Sequence, residues 1–379
     1  MKDQQTFFDN NIFHIDKPIR LITLFSGYDS QALALKYLGV PFEHYRTCEW
    51  AVKSIQALRD LHFNSDTVDY AKDLTQAELV QWLADKGISM DYKKPMTKEQ
   101  ISRKPLTWLK TVYNNIKASR NMVNIQQVHG EDLGITDTDK YCYLMTYSYP
   151  CQSLSAAGKQ EGFTEGSGTT SSMLWEIKRI FNELIAGGGQ HLPTVLVMEN
   201  VPQVHGTKFV GDFNKWIDFL DGLGYVSYWK DLNAKDYKIP QNRDRCFMVS
   251  ILGKDNYYEF PKRLPLKLRL KNVLETNVPE GYYLSAESIL RIGKWKAHQK
   301  PLEHILNDKS ITPCLTARGG GRTQWDVALS RINTLVVTPP HGYFGGKIEN
   351  RETFPTIDTG TATRWHNVLM EISNDNENI

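Results

Sequence analysis

The sequence predicts an α/β fold in which a doubly wound, mostly parallel sheet is covered by helices on both faces. Two observations predict it: short apolar runs, several of them continuous rather than alternating, and helix-like stretches between them. Continuous apolar runs are typical of strands buried on both faces, and their alternation with helices indicates a parallel sheet. Ligand sites of such a sheet lie beyond the carboxyl ends of its strands. Seven runs are predicted as strands: Arg20–Phe25, His44–Trp50, Ile125–Val128, Tyr141–Ser148, Val195–Val201, Tyr225–Asp231 and Arg245–Leu252.

Helix-like stretches alternate with these runs. Residues 62–124 separate the second and third predicted strands by more than one crossover helix, so we predict a helical insertion there. After about residue 255 the predicted strands become short and irregular, with glycine-rich turns. The predicted organisation is a larger domain over residues 1–255, which includes the insertion, and a smaller, irregular β-rich domain over residues 256–379. The predicted helices are Ser30–Leu38, Ala51–Leu61, Gln76–Lys86, Lys98–Lys117, Ser171–Leu184 and Phe213–Leu223.

Composition excludes several classes of protein. The chain has 379 residues, of which 41% are hydrophobic, and this is enough for a packed core. No apolar run approaches the roughly 20 residues that span a bilayer, and the first residues do not resemble a signal peptide. The five cysteines are scattered and form no CxxC pair, which argues against a disulfide framework or a zinc site. We expect a cytoplasmic protein with reduced thiols, no metal and no membrane partner.

The net charge of +2 does not by itself indicate a nucleic-acid-binding protein. Residues 262–300 carry nine Lys and Arg residues against three Glu residues, a local excess of +6. On charge alone, a solvated basic face is favoured over a phosphate-binding surface for this stretch.

A cysteine, Cys151, directly follows the predicted strand that ends near Pro150. A lone cysteine is most often a small buried apolar residue. Here a proline fixes the approach of the backbone, and a polar segment with glycine follows. This places the thiol at the mouth of a cleft, where a thiolate could act as a nucleophile.

Charged residues mark two further strand ends. Glu199 comes directly after a buried run, so it is expected at the edge of the cleft; a structural ion pair is the alternative. Arg243 and Arg245 are two residues apart on an extended segment and therefore point the same way. They could clamp a carboxylate or phosphate, or cover the edge of a sheet.

The first two predicted strands end in residues that suit a nucleotide. Phe25, Ser26 and Gly27 follow the first strand, although one glycine is a weak signature of nucleotide binding. Glu49 ends the second strand, where an acidic residue accepts the hydroxyl groups of a ribose.

Taken in order, these segments resemble the motifs of the DNA cytosine-C5 methyltransferases. The matching segments are LFSG, CEW, a Gly-Glu-Asp stretch, YPCQ, SGT followed by LWE, MENV and QNRDR, and they cover about residues 20–252. The segment after Gly27 and the long insertion resemble phage and prophage members most, so a bacterial or phage-encoded chain is expected. The resemblance implies a Rossmann-like, S-adenosylmethionine-dependent methyltransferase sheet and makes residues 256–379 the target-recognition domain.

The resemblance also implies roles for individual residues. Cys151 would attack carbon 6 of a cytosine flipped out of duplex DNA, and Glu199 would hold the ring nitrogen N3. Arg243 and Arg245 would stabilise the charge that forms. The residues expected to contact the substrate are Gln152, Ser153, Asn200 and Gln241. The residues expected to bind S-adenosylmethionine are Phe25, Ser26, Gly27, Glu49, Trp50, Asp132, Pro150 and Leu174.

Three features depart from the family pattern. The loop after Gly27 has less glycine than usual, and Thr170 stands where an arginine is common. Two motifs expected near the C-terminus are absent from the sequence. Three hypotheses explain this: a truncated chain, a second polypeptide that supplies the motifs, or a DNA-binding remnant without turnover. A tRNA cytosine-C5 methyltransferase is the alternative with another substrate, and both restriction partnership and self-protection of phage DNA stay open.

Overall fold

A computed structural model describes the chain in two compact units. The described part of the first unit lies within residues 13–230 and 246–260. The described part of the second unit consists of residues 231–245, residues 261–273 and four short strands between residues 306 and 344. The described residues are 13–151, 153–154, 162–187, 191–273, 306–307, 311–313, 336–337 and 343–344.

A six-stranded sheet forms the centre of the first unit, in the order β2-β1-β3-β4-β7-β5. The first four strands in this order are parallel, and β7 is antiparallel to β4. Strands β1 and β3 consist almost entirely of buried residues, as the continuous apolar runs predicted. The strands are β1 Ile19–Leu24, β2 Phe42–Cys48, β3 Cys142–Tyr147, β4 Val195–Asn200, β5 Tyr225–Asn233, β6 Gln241–Asn242 and β7 Asp244–Leu252.

Helices cover the sheet and build the insertion, whose helices pack around an apolar cluster of their own. Helices α3 and α4 each begin with a capping box, at Thr75 and Thr97, which satisfies backbone N–H groups of the first turn. The three helices between Gln76 and Ala118 confirm the predicted helical insertion. The helices are α1 Ser30–Tyr37, α2 Val52–His62, α3 Gln76–Asp85, α4 Lys98–Ser102, α5 Leu106–Ala118, α6 Leu174–Ala186 and α7 Val210–Gly222.

Two predicted elements are wrong. Ile125–Val128 is not a strand, because the Asn124 side chain accepts a hydrogen bond from the backbone of Gln126 and starts a 3-10 helix at Ile125–Gln127. Lys98–Lys117 is not one helix, because Pro105 lacks an N–H group and disfavours a helical conformation of the residue before it. The chain therefore forms α4 and α5 in place of a single helix.

The register of the sheet brings the carboxyl ends of β1–β4 to one level. Leu24 lies opposite both Cys48 and Tyr147, and Tyr147 lies opposite Met198. We call this the carboxyl edge; the segments that follow these four residues lie along it.

The described part of the second unit contains short strands, consistent with an irregular β-rich region. Strand β6 pairs in parallel with β9, Thr312–Pro313. A second small sheet has the order β11-β10-β8, with β8 at Leu306–Asn307, β10 at Val336–Val337 and β11 at Tyr343–Phe344. The domain boundary near residue 255 stays a prediction. Within the described residues, no helix is long and apolar enough to cross a membrane.

Candidate active site

The loop after β1 makes its turn with alternating left-handed residues. Phe25, Gly27 and Asp29 have φ angles of 55°, 57° and 60°. Aspartate tolerates this conformation better than most residues because its short polar side chain bonds locally. Asp29 thus takes a backbone conformation that suits glycine, which accounts for the glycine-poor loop.

The Asp29 carboxylate is completely buried and joins the loop to three elements. Its Oδ1 atom accepts a hydrogen bond from the Ala32 N–H at 3.1 Å, which caps α1. Its Oδ2 atom accepts from the Thr23 hydroxyl at 3.2 Å and lies 3.3 Å from Nε2 of His44 on β2. The sequence reasoning missed Asp29, although an aspartate directly before a helix is an ordinary N-cap signal.

Ser26 is buried and continues the pairing of β1 with β2 beyond the strands. Its N–H donates to the Cys48 carbonyl at 3.0 Å. Its hydroxyl donates to the Thr23 carbonyl at 2.8 Å and accepts from the Cys48 N–H at 3.1 Å. This predicted cofactor residue therefore hydrogen-bonds the scaffold of the loop.

Glu49 joins the two strand ends at which a cofactor is predicted. Its Oε2 atom accepts from the Gly27 N–H at 2.9 Å, and its Oε1 atom accepts from the Ala51 N–H at 2.7 Å. Burial raises the pKa of Glu49, while the backbone N–H groups oppose that shift. Asn121 fixes the Glu49 backbone from both sides, since its Oδ1 accepts from the N–H at 3.0 Å and its Nδ2 donates to the carbonyl at 2.9 Å.

The other predicted cofactor residues differ in exposure. Trp50 is half-buried and packs against the apolar cluster of the insertion. Asp132 is exposed, and its Oδ2 atom accepts from the His129 N–H at 2.8 Å, capping a short 3-10 helix. Leu174 is fully buried at the start of α6, and Pro150 is half-buried after β3.

Cys151 lies on the carboxyl edge, four residues beyond the end of β3. It is half-buried and packs against the main apolar core. Its carbonyl accepts from the Leu154 N–H at 2.9 Å. Ser153 is buried, and its N–H donates to the Ser171 hydroxyl at 3.2 Å, which ties this turn to the segment before α6. Gln152 lies outside the described residues.

Glu199 and Asn200 end β4, the neighbouring strand. The pairing of Tyr147 with Met198 brings Glu199 level with the residue after Tyr147. Asn200 is buried, and its Nδ2 atom donates to the Tyr149 carbonyl at 3.2 Å. Adjacent parallel strands lie about 5 Å apart. The structure therefore brings Cys151, Glu199 and Asn200 to neighbouring strand ends on one edge.

Tyr149 is a feature that the sequence reasoning missed. Its side chain is only 2% exposed, and its hydroxyl has no hydrogen-bond partner in the part of the chain that the structure describes. Burial, with smaller contributions from the neighbouring Tyr147, Cys246 and Cys151, raises the pKa of Tyr149 well above its usual value. A buried hydroxyl without a partner lowers the free energy of unfolding, so we expect a variant without this hydroxyl to be more stable.

Gln241, Arg243 and Arg245 belong to the second unit. Gln241 pairs with Thr312 in the two-stranded sheet, and the Arg243 N–H donates to Oδ1 of Asn233 at 3.1 Å. Arg245 is the second residue of β7. Arg245 directly precedes Cys246, which pairs with Asn200 at the end of β4. The roles of Gln241, Arg243 and Arg245 stay predictions.

Comparisons with known proteins show the family to which the chain belongs. The profile of the family described as C-5 cytosine-specific DNA methylase matches residues 86–336. The type II methyltransferase M2.ScrFI of Lactococcus lactis subsp. cremoris is 34% identical over 272 residues, which cover 72% of this chain and 71% of the relative. The orphan methyltransferase M.SssI of Spiroplasma monobiae is 35% identical over 265 residues, covering 70% of this chain and 67% of the relative.

Among solved structures, the methyltransferase EhMeth of Entamoeba histolytica superimposes with a TM-score of 0.51 and 16% identity, covering 95% of this chain and 99% of that one. This likeness supports the fold alone. The profile match spans about two thirds of the chain, and each of the two bacterial relatives shares about a third of its aligned residues over at least two thirds of its own length. The chain, with its cysteine and glutamate on adjoining strand ends, therefore belongs to the C-5 cytosine-specific DNA methylase family.

Proposed function

We propose that this protein methylates carbon 5 of a cytosine rotated out of duplex DNA, with Cys151 as the covalent nucleophile. One observation carries the proposal: Glu199 lies at the end of β4, and Cys151 follows the end of β3, the adjacent parallel strand in register with it. Asn200 joins the two strand ends by its hydrogen bond to the Tyr149 carbonyl. Covalent addition to the ring requires a nucleophile and an acid close together, and these are the residue types that the edge provides.

S-adenosylmethionine is the cofactor of this family, and the residues at the ends of β1 and β2 fit it. The Glu49 carboxylate accepts hydrogen bonds from the Gly27 and Ala51 N–H groups, and its two oxygens have further acceptor capacity for a ribose hydroxyl. Phe25 and Gly27 would line the methionine side, and Ser26 would hold their loop through its hydrogen bonds to Thr23 and Cys48. Trp50 would pack on the adenine and Asp132 would bind its amino group. Pro150 and Leu174 would complete the pocket. When bound, S-adenosylmethionine supplies an electrophilic methyl group on a sulfonium, which carbon 5 of the activated base would take.

The residues of the chain would activate the base and release it. The Cys151 thiolate forms a bond to carbon 6, and the electron pair of the ring double bond moves toward carbon 5. Glu199 hydrogen-bonds N3 and the amino group, which lowers the energy of the charge that addition creates. After methylation, a base removes the carbon 5 proton, the ring double bond re-forms and the thiolate of Cys151 leaves.

Base flipping follows from the chemistry, because a stacked cytosine hides carbon 6 from a thiolate. Gln152, Ser153, Asn200 and Gln241 would surround the extruded base, and Arg243 and Arg245 would stabilise its negative charge. Residues 256–379 would act as the target-recognition domain, in which phosphate contacts position the duplex and base-edge contacts read it. Double-stranded DNA is thus the proposed partner. The comparisons give no support for a second polypeptide, and we leave it out of the proposal.

The test traps the covalent adduct. The purified chain is incubated with tritiated S-adenosylmethionine and duplexes that carry 5-fluorocytosine in many sequence contexts. Fluorine blocks the final elimination, so we expect a denaturation-resistant protein–DNA band that contains tritium. Cys151→Ala should abolish the band.

Cys142→Ala is the matched control, because Cys142 starts the same strand, β3, at its opposite end. It should keep the band. No adduct from a folded wild-type chain that binds S-adenosylmethionine would contradict the proposal and favour a binding remnant. Methyl incorporation into tRNA rather than DNA would favour the tRNA enzyme.

A further inference from the structure

The insertion carries a concentration of positive charge that the overall composition hides. Residues 86–120 contain nine Lys and Arg residues against two acids, a net charge of +7 in a chain whose total is +2. Folded surfaces usually intersperse both signs of charge. The basic residues are Lys86, Lys93, Lys94, Lys98, Arg103, Lys104, Lys110, Lys117 and Arg120, and the acids are Asp91 and Glu99.

The first part of this stretch lies on the carboxyl edge. The Ser89 N–H donates to the Trp50 carbonyl at 2.8 Å, and the Val52 N–H donates to the Ser89 carbonyl at 2.9 Å. These bonds pair Ser89 with Ala51, two residues beyond Glu49. The loop that follows Ser89 therefore leaves the fold beside the end of β2, on the edge that also holds Cys151.

Local hydrogen bonds hold the backbone of this loop in place. Oδ1 of Asp91 accepts from the N–H groups of Lys93 and Lys94 at 2.9 and 3.2 Å. The Ser89 hydroxyl donates to the Lys94 carbonyl at 2.8 Å, and the hydroxyls of Tyr92 and Ser54 lie 2.9 Å apart. The carboxylate of Asp91, the only acid of the loop, therefore hydrogen-bonds the backbone of the loop. These bonds fix the positions from which Lys93 and Lys94 extend.

The lysine side chains of this loop and of the start of α4 form no close ion pair with described carboxylates, although Asp91 attracts Lys93 and Glu99 attracts Lys98 at longer range. Lys93, Lys94 and Lys98 are exposed, and no carboxylate within the described ranges lies at ion-pair distance from them. The Lys98 ammonium donates to the neutral Oε1 of Gln81. A group of cations in excess of its neighbouring acids, on the edge that holds the candidate site, attracts an extended anion.

We propose that Lys93, Lys94 and Lys98 contact the phosphate backbone of the duplex, outside the target-recognition domain. The inference rests on the proposed function, because it names a second surface by which the same DNA is held. Contacts of this kind supply affinity and orientation without reading sequence. They also make binding depend on salt, because each neutralised phosphate releases condensed counterions.

The experiment measures the affinity of a fluorescein-labelled duplex by anisotropy over a series of KCl concentrations. The test variant is Lys93→Gln/Lys94→Gln/Lys98→Gln in the full chain. We expect the slope of log K against log[salt] to become shallower by roughly 0.9 for each phosphate that the variant no longer neutralises, or about 3 for all three. Affinity for S-adenosylmethionine, measured by calorimetry, should not change.

The matched control is Lys17→Gln/Lys140→Gln/Lys254→Gln. These three lysines are also exposed, and they lie at the opposite edge, before β1, before β3 and after β7. The control removes the same charge and should keep the wild-type slope. Equal slopes for the test variant and the wild type would overturn the inference, as would an equally reduced slope in both variants or a reduction seen only with labelled tRNA.

Methyl incorporation separates this inference from the proposed function. A wild-type chain that methylates DNA, with a test variant whose salt slope is unchanged, refutes the phosphate contact alone. A wild-type chain that binds no duplex and forms no adduct refutes both.

Discussion

The two halves of the carboxyl edge are built differently. At the ends of β1 and β2, the polar side chains of Ser26, Asp29 and Glu49 are more than nine-tenths buried and hydrogen-bond the backbone of the loops. At the ends of β3 and β4, Cys151 and Glu199 are half-buried, and the neighbouring Asn200 holds the backbone. At the ends of β1 and β2, which we call the cofactor end, candidate cofactor residues therefore also stabilise the fold. At the ends of β3 and β4, which we call the reaction end, the candidate reacting groups are Cys151 and Glu199, and a different residue, Asn200, positions the backbone.

Glu199→Gln tests this separation at the reaction end and should have the largest effect. We expect methylation to fall by about 100-fold to 10,000-fold, because an amide cannot supply a proton to N3. The unfolding midpoint should stay within a few degrees of wild type. Single-turnover methyl incorporation and thermal unfolding measure the two quantities.

Asn200→Ala is the matched control for Glu199→Gln. It should lower the free energy of unfolding by about 1–3 kcal/mol, because the buried Tyr149 carbonyl loses its donor. The separation is wrong if Glu199→Gln unfolds the protein or if Asn200→Ala leaves stability unchanged.

Asp29→Ala tests the ends of β1 and β2, where the candidate cofactor residues also hydrogen-bond the scaffold. We expect the free energy of unfolding to fall by about 2–4 kcal/mol, since alanine loses the helix cap and is strained at positive φ. Affinity for S-adenosylmethionine should fall with it, because the same loop carries Gly27. Urea unfolding and calorimetry give both values.

Asp29→Asn distinguishes charge from geometry in the loop. Asparagine accepts the left-handed conformation and keeps a capping oxygen, so it should recover most of the stability. An Asp29→Ala variant with wild-type stability and cofactor affinity would show that the loop does not depend on this side chain.

His62 lies beside the same loop, and its environment predicts a loss of stability in acid. The His62 Nε2 atom lies 2.9 Å from the Tyr28 carbonyl and its Nδ1 atom 3.2 Å from the Lys36 ammonium. The neutral ring satisfies both contacts, with Nε2 donating and Nδ1 accepting. Burial is the main cause that lowers the pKa of His62 from 6.5 to about 4.

Because the folded pKa lies below the unfolded one, the unfolded state binds more protons between pH 6.5 and pH 4. The contribution of His62 is therefore complete above pH 6.5 and is lost as pH falls through about 4, by up to about 3 kcal/mol. Urea unfolding at a series of pH values should show this loss. His62→Gln should flatten the profile and the exposed His14→Gln should not; equal profiles for all three proteins would refute the assignment.

Sequence patterns predicted the strand ends well, because a buried parallel strand leaves a continuous apolar run and its last polar residue must face a cleft. Glu49, Cys151 and Glu199 could be found in this way. Asp29 could be found only as a cap, since nothing in its neighbours predicts a positive φ angle.

Contacts between distant segments were beyond sequence reasoning. Asn121 hydrogen-bonds the backbone of Glu49, which lies 72 residues earlier in the sequence, and no local sequence pattern predicts such a pair. The run Ile125–Val128 has a strand-like composition, but the side chain of Asn124 favours a turn. Short apolar runs are ambiguous for this reason.

Tyr149→Phe should have the smallest effect and sharpens the comparison at the reaction end. The change removes only a hydroxyl that is buried without a described partner, so the free energy of unfolding should rise by about 1 kcal/mol. Methylation should stay at the wild-type rate if Tyr149 only fills the core beside Cys151. Urea unfolding and single-turnover kinetics distinguish the two roles of the hydroxyl. A variant that gains no stability and loses activity would show that the hydroxyl acts on Cys151 or the base. The same residue would then serve both the reaction and the packing of the core at this end.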